Sequence, residues 1–135
     1  MVAFLQHYAF VVPTKDMHFI GWVVDNKLVM LVCLNGFLGK VCQMHVAMVP
    51  EWKFTPRAML RKVFHTAFVE FKRETVLGIV NSLNDLAMEY DQHLGFKELW
   101  RLPKMHDEGG DIVVFGMAKD DCRFLNMLES VEEAA

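Results

Sequence analysis

A dense apolar stretch over residues 17–38 constrains the fold most, because Asp25-Asn26-Lys27 interrupts it in the middle. A membrane-spanning helix needs about 20 nearly uncharged residues, and the interruption leaves only two short runs, Phe19–Val24 and Leu28–Leu34. Both are rich in β-branched residues and flank a short polar turn, the pattern of a β-hairpin. A second turn is expected at Asn35-Gly36. A third run over Lys40–Val49 stops at Pro50, which cannot donate to a sheet ladder. Residues 18–49 are therefore expected to form a three-stranded antiparallel meander.

A helix start follows at Thr55-Pro56: a Thr hydroxyl can cap free N–H groups, and Pro at the first helical position gives up a donor that has no partner there. From that point Leu60, Val63, Phe64, Ala67, Phe68 and Phe71 recur at steps of three and four, with Arg57, Arg61, Lys62 and Glu70 elsewhere. Thr75–Val80 reads as a buried strand reached by a crossover. Ser82–Leu94 reads as a second helix with cap chemistry at Ser82, Asn84 and Asp85 and a stop at Gly95. Lys97–Leu102 and Asp111–Met117 read as two further strands joined through Gly109-Gly110. The expected order is βββ-α-β-α-ββ, with a last amphipathic helix over Asp120–Glu133.

The chain of 135 residues has room for one domain, residues 1–135, with a core over about 18–125 and an acidic tail at 129–135. Hydrophobic residues at 53% against 23% charged supply a sizeable core, and a formal charge of −3 argues against nucleic acid as the main partner. No secretory signal is visible at the N-terminus, and Cys33, Cys42 and Cys122 are an odd set at scattered spacings. Both features favour a reducing, cytoplasmic setting without a disulfide framework. Cys33, Cys42 and His45 match no zinc spacing, so no metal site is expected. Cys42 and His45, three apart on a strand, project to opposite faces and cannot form a nucleophile pair. Glu98 and Glu108 have no partner that spacing identifies, and His106 is expected to face solvent.

Lys53, Arg57 and Arg61 cluster around the start of the first long helix, where free N–H groups and the positive end of the helix dipole favour an anion. The bland reading of the same residues is a good helix start beside an ordinary solvated face.

The element order, with His45-Val-Ala-Met-Val-Pro-Glu-Trp-Lys-Phe-Thr-Pro-Arg-Ala-Met-Leu60 and Asn84-Asp-Leu-Ala-Met-Glu-Tyr-Asp-Gln-His-Leu-Gly-Phe96, resembles the Gcn5-related N-acetyltransferase (GNAT) family. Met117-Ala-Lys-Asp-Asp-Cys-Arg-Phe-Leu125 is similar to the end of a compact subgroup found in tailed bacteriophages. The resemblance implies an α+β fold: a mixed, mainly antiparallel sheet with two main helices and a shortened N-terminal portion. It implies an N-acetyltransferase using acetyl-CoA, with the backbone of Val46, Ala47 and Met48 along the pantetheine. Lys53, Phe54, Thr55, Arg57 and Ala58 would surround the pyrophosphate, and Asn84 would contact the cofactor from the next helix.

Pro56 takes the place of a loop glycine in this pattern, which removes a backbone donor and predicts weakened cofactor binding or none. His45 is the expected base, and Tyr90 the expected acid, one residue before the family's usual Tyr position at Asp91. An unperturbed carboxyl at Asp91 would be ionised at neutral pH. The expected acceptor is an amine on a macromolecule such as a protein, with no nucleic acid or membrane. A second copy or partner chain is expected beside the N-terminal side, in the host cytoplasm or a virion. The alternative is a catalytically inactive member acting as a binding or virion-associated structural protein.

Overall fold

In a computed structural model of the chain, residues 1–9, 15–52 and 55–125 are described. The elements are α1 (Val2–Ala9), β1 (His18–Val24), β2 (Lys27–Leu38), β3 (Val41–Met48), α2 (Arg57–His65), β4 (Thr75–Asn81), α3 (Asp85–Leu94), β5 (Lys97–Leu102) and β6 (Ile112–Ala118). One six-stranded sheet runs in the order β1-β2-β3-β4-β6-β5. All pairs are antiparallel except β3-β4. The expected order of strands and long helices is observed, with α1 added in front. That helix lies within the part of the chain expected to precede the core.

The β1-β2 hairpin closes through Asp25 and Asn26, both at positive φ (52° and 65°), between the paired Val24 and Lys27. Two left-handed residues give a turn whose twist matches that of the strands, and Asp and Asn tolerate the conformation better than most residues. The second turn is displaced from its expected place. Asn35-Gly36 lies inside β2, where the register with β3 shifts between Asn35 and Leu38 and Gly36 sits at φ +61°. Asn-Gly suits a bulge as well as a turn, and the chain reverses three residues later, between Leu38 and Val41.

The start of α2 also differs from expectation. Pro56 is the N-cap in extended conformation (φ −60°, ψ 140°) rather than the first helical residue, and its side chain makes no capping hydrogen bond. The Thr55 hydroxyl is engaged elsewhere, as described below. A wide turn over Thr66–Glu70 extends α2, closed by Phe71 N–H donating to the Thr66 carbonyl. At α3 the helix begins three residues later than expected. Asn84 is its cap, its side chain accepting from Ala87 N–H, and Gly95 ends it at φ 108°. Of the expected last helix, a short turn at Lys119–Asp121 and a helical turn over 123–125 are seen, with Phe124 buried. The rest, with the acidic tail, lies outside the described residues.

The strand alternation divides the core in two. Met30, Val32, Leu34, Cys42, Met44, Val76, Val113, Phe115 and Met117 face α2 and α3 and pack on Leu60, Val63, Phe64, Phe68, Leu94 and Phe96. On the other face Leu5 of α1 packs with Leu31, Cys33 and Ala47, joined by Phe4, Met17 and Phe19. Both crossovers, through α2 and α3, therefore lie on one side of the sheet, and α1 covers only its β2-β3 half. Most of the chain's 10 Met and 11 Phe residues belong to these two clusters.

Candidate active site at the divergence of β3 and β4

Among the described residues β3 and β4 are the only parallel neighbours in the sheet, and their pairing lasts for three residues: Val41 with Thr75, Cys42 with Val76, Gln43 with Leu77. Beyond that point β3 stays paired to β2 as far as Met48, and β4 stays paired to β6 as far as Asn81. The two strands part between their C-terminal halves. Among the described residues, the backbone edge of Met44–Met48 toward β4 has no strand partner. An unpaired edge can hold an extended chain that carries amides, as strand addition does. Val46, Ala47 and Met48 lie on this edge.

On the helix face, two contacts stand at the divergence. The Thr55 and Tyr90 hydroxyls are 2.8 Å apart and join the segment after β3 to α3. Tyr90 packs against the main core, and burial pushes its phenol up to about 12, an effect that the hydrogen bond to Thr55 opposes. Asp91 is 8% exposed, and its Oδ2 occupies the space where a side chain on Gly78 would begin, 2.7 Å from that position. Gly78 is the first residue of β4 beyond the last pair with β3. Desolvation raises the Asp91 carboxyl to about 7, which removes the reason for setting this residue aside.

The N-terminus of α2 opens beside the same segment. The first intrahelical bond runs from Leu60 N–H to the Pro56 carbonyl, so the N–H groups of Arg57, Ala58 and Met59 precede the ladder. Pro56 has no acceptor for them, and the first turn carries no acidic residue. Arg57 is exposed and has no ion-pair partner among the described residues. The arrangement fits an anion of phosphate type. The donor lost to Pro56 is its own N–H alone. Lys53 and Phe54 lie outside the described residues.

His45 faces the opposite side of the sheet, next to Ala47 and across from Cys33. Its Nε2 is 2.8 Å from Asn35 Oδ1. An amide oxygen only accepts, so Nε2 carries the proton and Nδ1 keeps a lone pair. Burial lowers the His45 pKa, which leaves the ring neutral at pH 7. On the same face Ile79, Val114 and Trp100 stand side by side across β4, β6 and β5. Ile79 is 46% and Trp100 66% exposed, forming an apolar strip beyond the reach of α1.

The expected residues are thus split between the two faces of one gap: Thr55, Tyr90, Arg57 and Ala58 on the helix side, His45 on the other, and Val46–Met48 along the edge. Asn84, at the start of α3, spends its side-chain oxygen on the helix cap. Cys33 and Cys42 are buried, and desolvation raises both to about 11, so neither is a ready nucleophile. No cluster of three or more metal-binding side chains occurs among the described residues. Sequence spacing also missed the partner of Glu98. A bulge between Glu98 and Trp100 brings Glu98 to Arg101 at 2.7 Å, and Arg101 also bonds Asp111 at 3.0 Å. His106 is half-buried and accepts from Glu108 N–H.

No family model matches the chain, and no curated protein matches it in sequence. Solved structures do match its fold. A probable acetyltransferase superposes with a TM-score of 0.67 at 17% identity, covering 78% of this chain and 63% of that one. A mutant form of the spermidine/spermine N-acetyltransferase SpeG from Vibrio cholerae gives 0.67 at 15% identity, covering 84% and 69%. A GNAT-family acetyltransferase from Bacillus anthracis gives 0.61 at 13% identity, covering 71% and 61%. The chain spans less than two thirds of the length of the first of these. The mixed, mostly antiparallel six-stranded sheet has the GNAT acetyltransferase fold.

Proposed function

We propose that the protein transfers an acetyl group from acetyl-CoA to an amine. The observation that carries this reading is the parting of β3 and β4 beside a helix N-terminus where, among the described residues, three N–H donors and Arg57 have no partner and the first turn holds no acidic residue. A ligand with a diphosphate at one end and an amide-bearing arm fits both features together. Bound acetyl-CoA would supply an activated acyl group as a thioester.

The residues divide the work by face. Arg57 and the N–H groups of Arg57, Ala58 and Met59 hold the phosphates, joined in this reading by Lys53 and Phe54. The backbone edge of Val46–Met48 aligns the arm, and Asn84 borders it through its free amide. His45, neutral and with Nδ1 unprotonated, takes the proton of the incoming amine from the side away from α2 and α3. The strip of exposed Ile79 and Trp100 about the half-buried Val114 on that same side suits a macromolecular acceptor, such as a protein amine, better than an enclosed metabolite. A tailed-phage setting rests on the Met117–Leu125 pattern.

The test is an acetyl-transfer assay with acetyl-CoA against spermidine and a panel of peptide amines. Turnover of the peptides above spermidine supports the reading. Turnover of spermidine alone sinks the macromolecular acceptor, and no turnover with either favours an inactive binding protein, a reading that rests on Pro56.

A further inference from the structure

Asp91 is the only acidic side chain in the buried class among the described residues, and packing does not account for it. An apolar side chain of similar size would fill the space above Gly78 without the cost of burying a carboxyl. Its place is particular: Oδ2 lies against Gly78 Cα, where β4 first loses β3 as a neighbour, with the Phe96 ring at the same glycine. Gly78 makes the approach feasible, since any larger residue would collide with the carboxyl. No charged group of β4, β6 or α2 acts on Asp91 among the described residues. The only titratable group coupled to it is the Tyr90 hydroxyl beside it in α3. That hydroxyl is tied to Thr55.

We propose that Asp91, rather than Tyr90, donates the proton to the departing sulfur at the divergence of β3 and β4; this rests on the acyl-transfer reading above. As the bond from the amine nitrogen to the acyl carbon forms and the carbon–sulfur bond breaks, the electron pair stays on sulfur. Asp91 delivers its proton there and becomes a carboxylate. The amine proton leaves to His45, and solvent later returns a proton to Asp91. Acid and base thus work from opposite faces of the sheet through the one place where its strands part. The raised carboxyl keeps a substantial protonated fraction at neutral pH, whereas the Tyr90 phenol is a much weaker acid.

The experiment combines three readouts on D91N and Y90F: thermal stabilisation by desulfo-CoA, the pH dependence of kcat with acetyl-CoA, and carbon-detected NMR titration of the Asp91 carboxyl in the free wild-type protein. The expected result is a carboxyl that titrates near 7 and retained desulfo-CoA stabilisation in D91N. Its kcat should fall roughly 100-fold with loss of the alkaline limb, while Y90F keeps that limb. A carboxyl titrating in the ordinary range, an alkaline limb that survives in D91N, or one lost in Y90F overturns the assignment alone. Absence of desulfo-CoA stabilisation in the wild type overturns the acyl-transfer reading and the assignment with it.

Discussion

The hydroxyls of Thr55 and Tyr90, 2.8 Å apart, tie the segment leaving β3 to the helix that follows β4. They do so over the place where those strands separate. A neutral hydrogen bond in a half-buried place contributes about 1 kcal/mol, and a buried hydroxyl left without its partner costs more. T55V and Y90F should each destabilise the protein by roughly 1–2 kcal/mol. Because both remove the same bond, the double variant should cost less than the sum. Urea denaturation of the four proteins gives the coupling, and strict additivity would show that the contact contributes nothing.

Gly78 and Asp91 should be coupled more strongly. A methyl at position 78 comes within 2.7 Å of Asp91 Oδ2, so G78A should lose about 1–3 kcal/mol through overpacking. In a D91A background the carboxyl is gone, and the same substitution should cost less than half as much. Equal costs in the two backgrounds would place the carboxyl elsewhere.

The raised Asp91 carboxyl has a signed consequence for stability. Its pKa is about 7 in the folded chain against the ordinary 3.8, so the folded state binds the proton more tightly. Stability therefore falls as pH rises from about 4 to 7 and stays reduced above. D91N escapes this loss. The variant should match the wild type near pH 4 and exceed it by roughly 2–4 kcal/mol at pH 9. Denaturation midpoints across that range check it, and a difference that does not vary with pH would contradict it.

His45 has the opposite sign. Burial lowers its pKa, so folding opposes protonation. The associated stability is present above the ordinary histidine range and is lost as pH falls through it. In transfer assays H45A should lower the rate and flatten the acidic limb of the pH profile. A profile with its acidic limb intact would remove His45 as the base.

The strands and the long helix faces were legible because each rests on a periodic pattern: β-branched runs around Asp25-Asn26, and Leu60, Val63, Phe64, Ala67 and Phe68 on one stripe. Local chemistry with two outcomes was not. Asn35-Gly36 serves a turn or a bulge equally well, and only the β3 register decides. The Thr55 hydroxyl could cap a helix, but a Tyr 35 residues away takes it instead. Glu98 and Arg101 pair because a bulge breaks the strand period. The Asp91 carboxyl depends on burial by distant elements, which no spacing encodes. Its one sequence trace is Gly78, an isolated glycine in a strand, which often marks close approach of another group.

Binding of the acyl donor tests the central claim most directly. Thermal-shift titration with acetyl-CoA and desulfo-CoA should stabilise the protein by roughly 2.7 kcal/mol at one hundred times the dissociation constant. R57E, which reverses the charge at the start of α2, should weaken binding of both. No shift at millimolar cofactor, or equal affinity in R57E, would contradict a CoA site at the parting of β3 and β4.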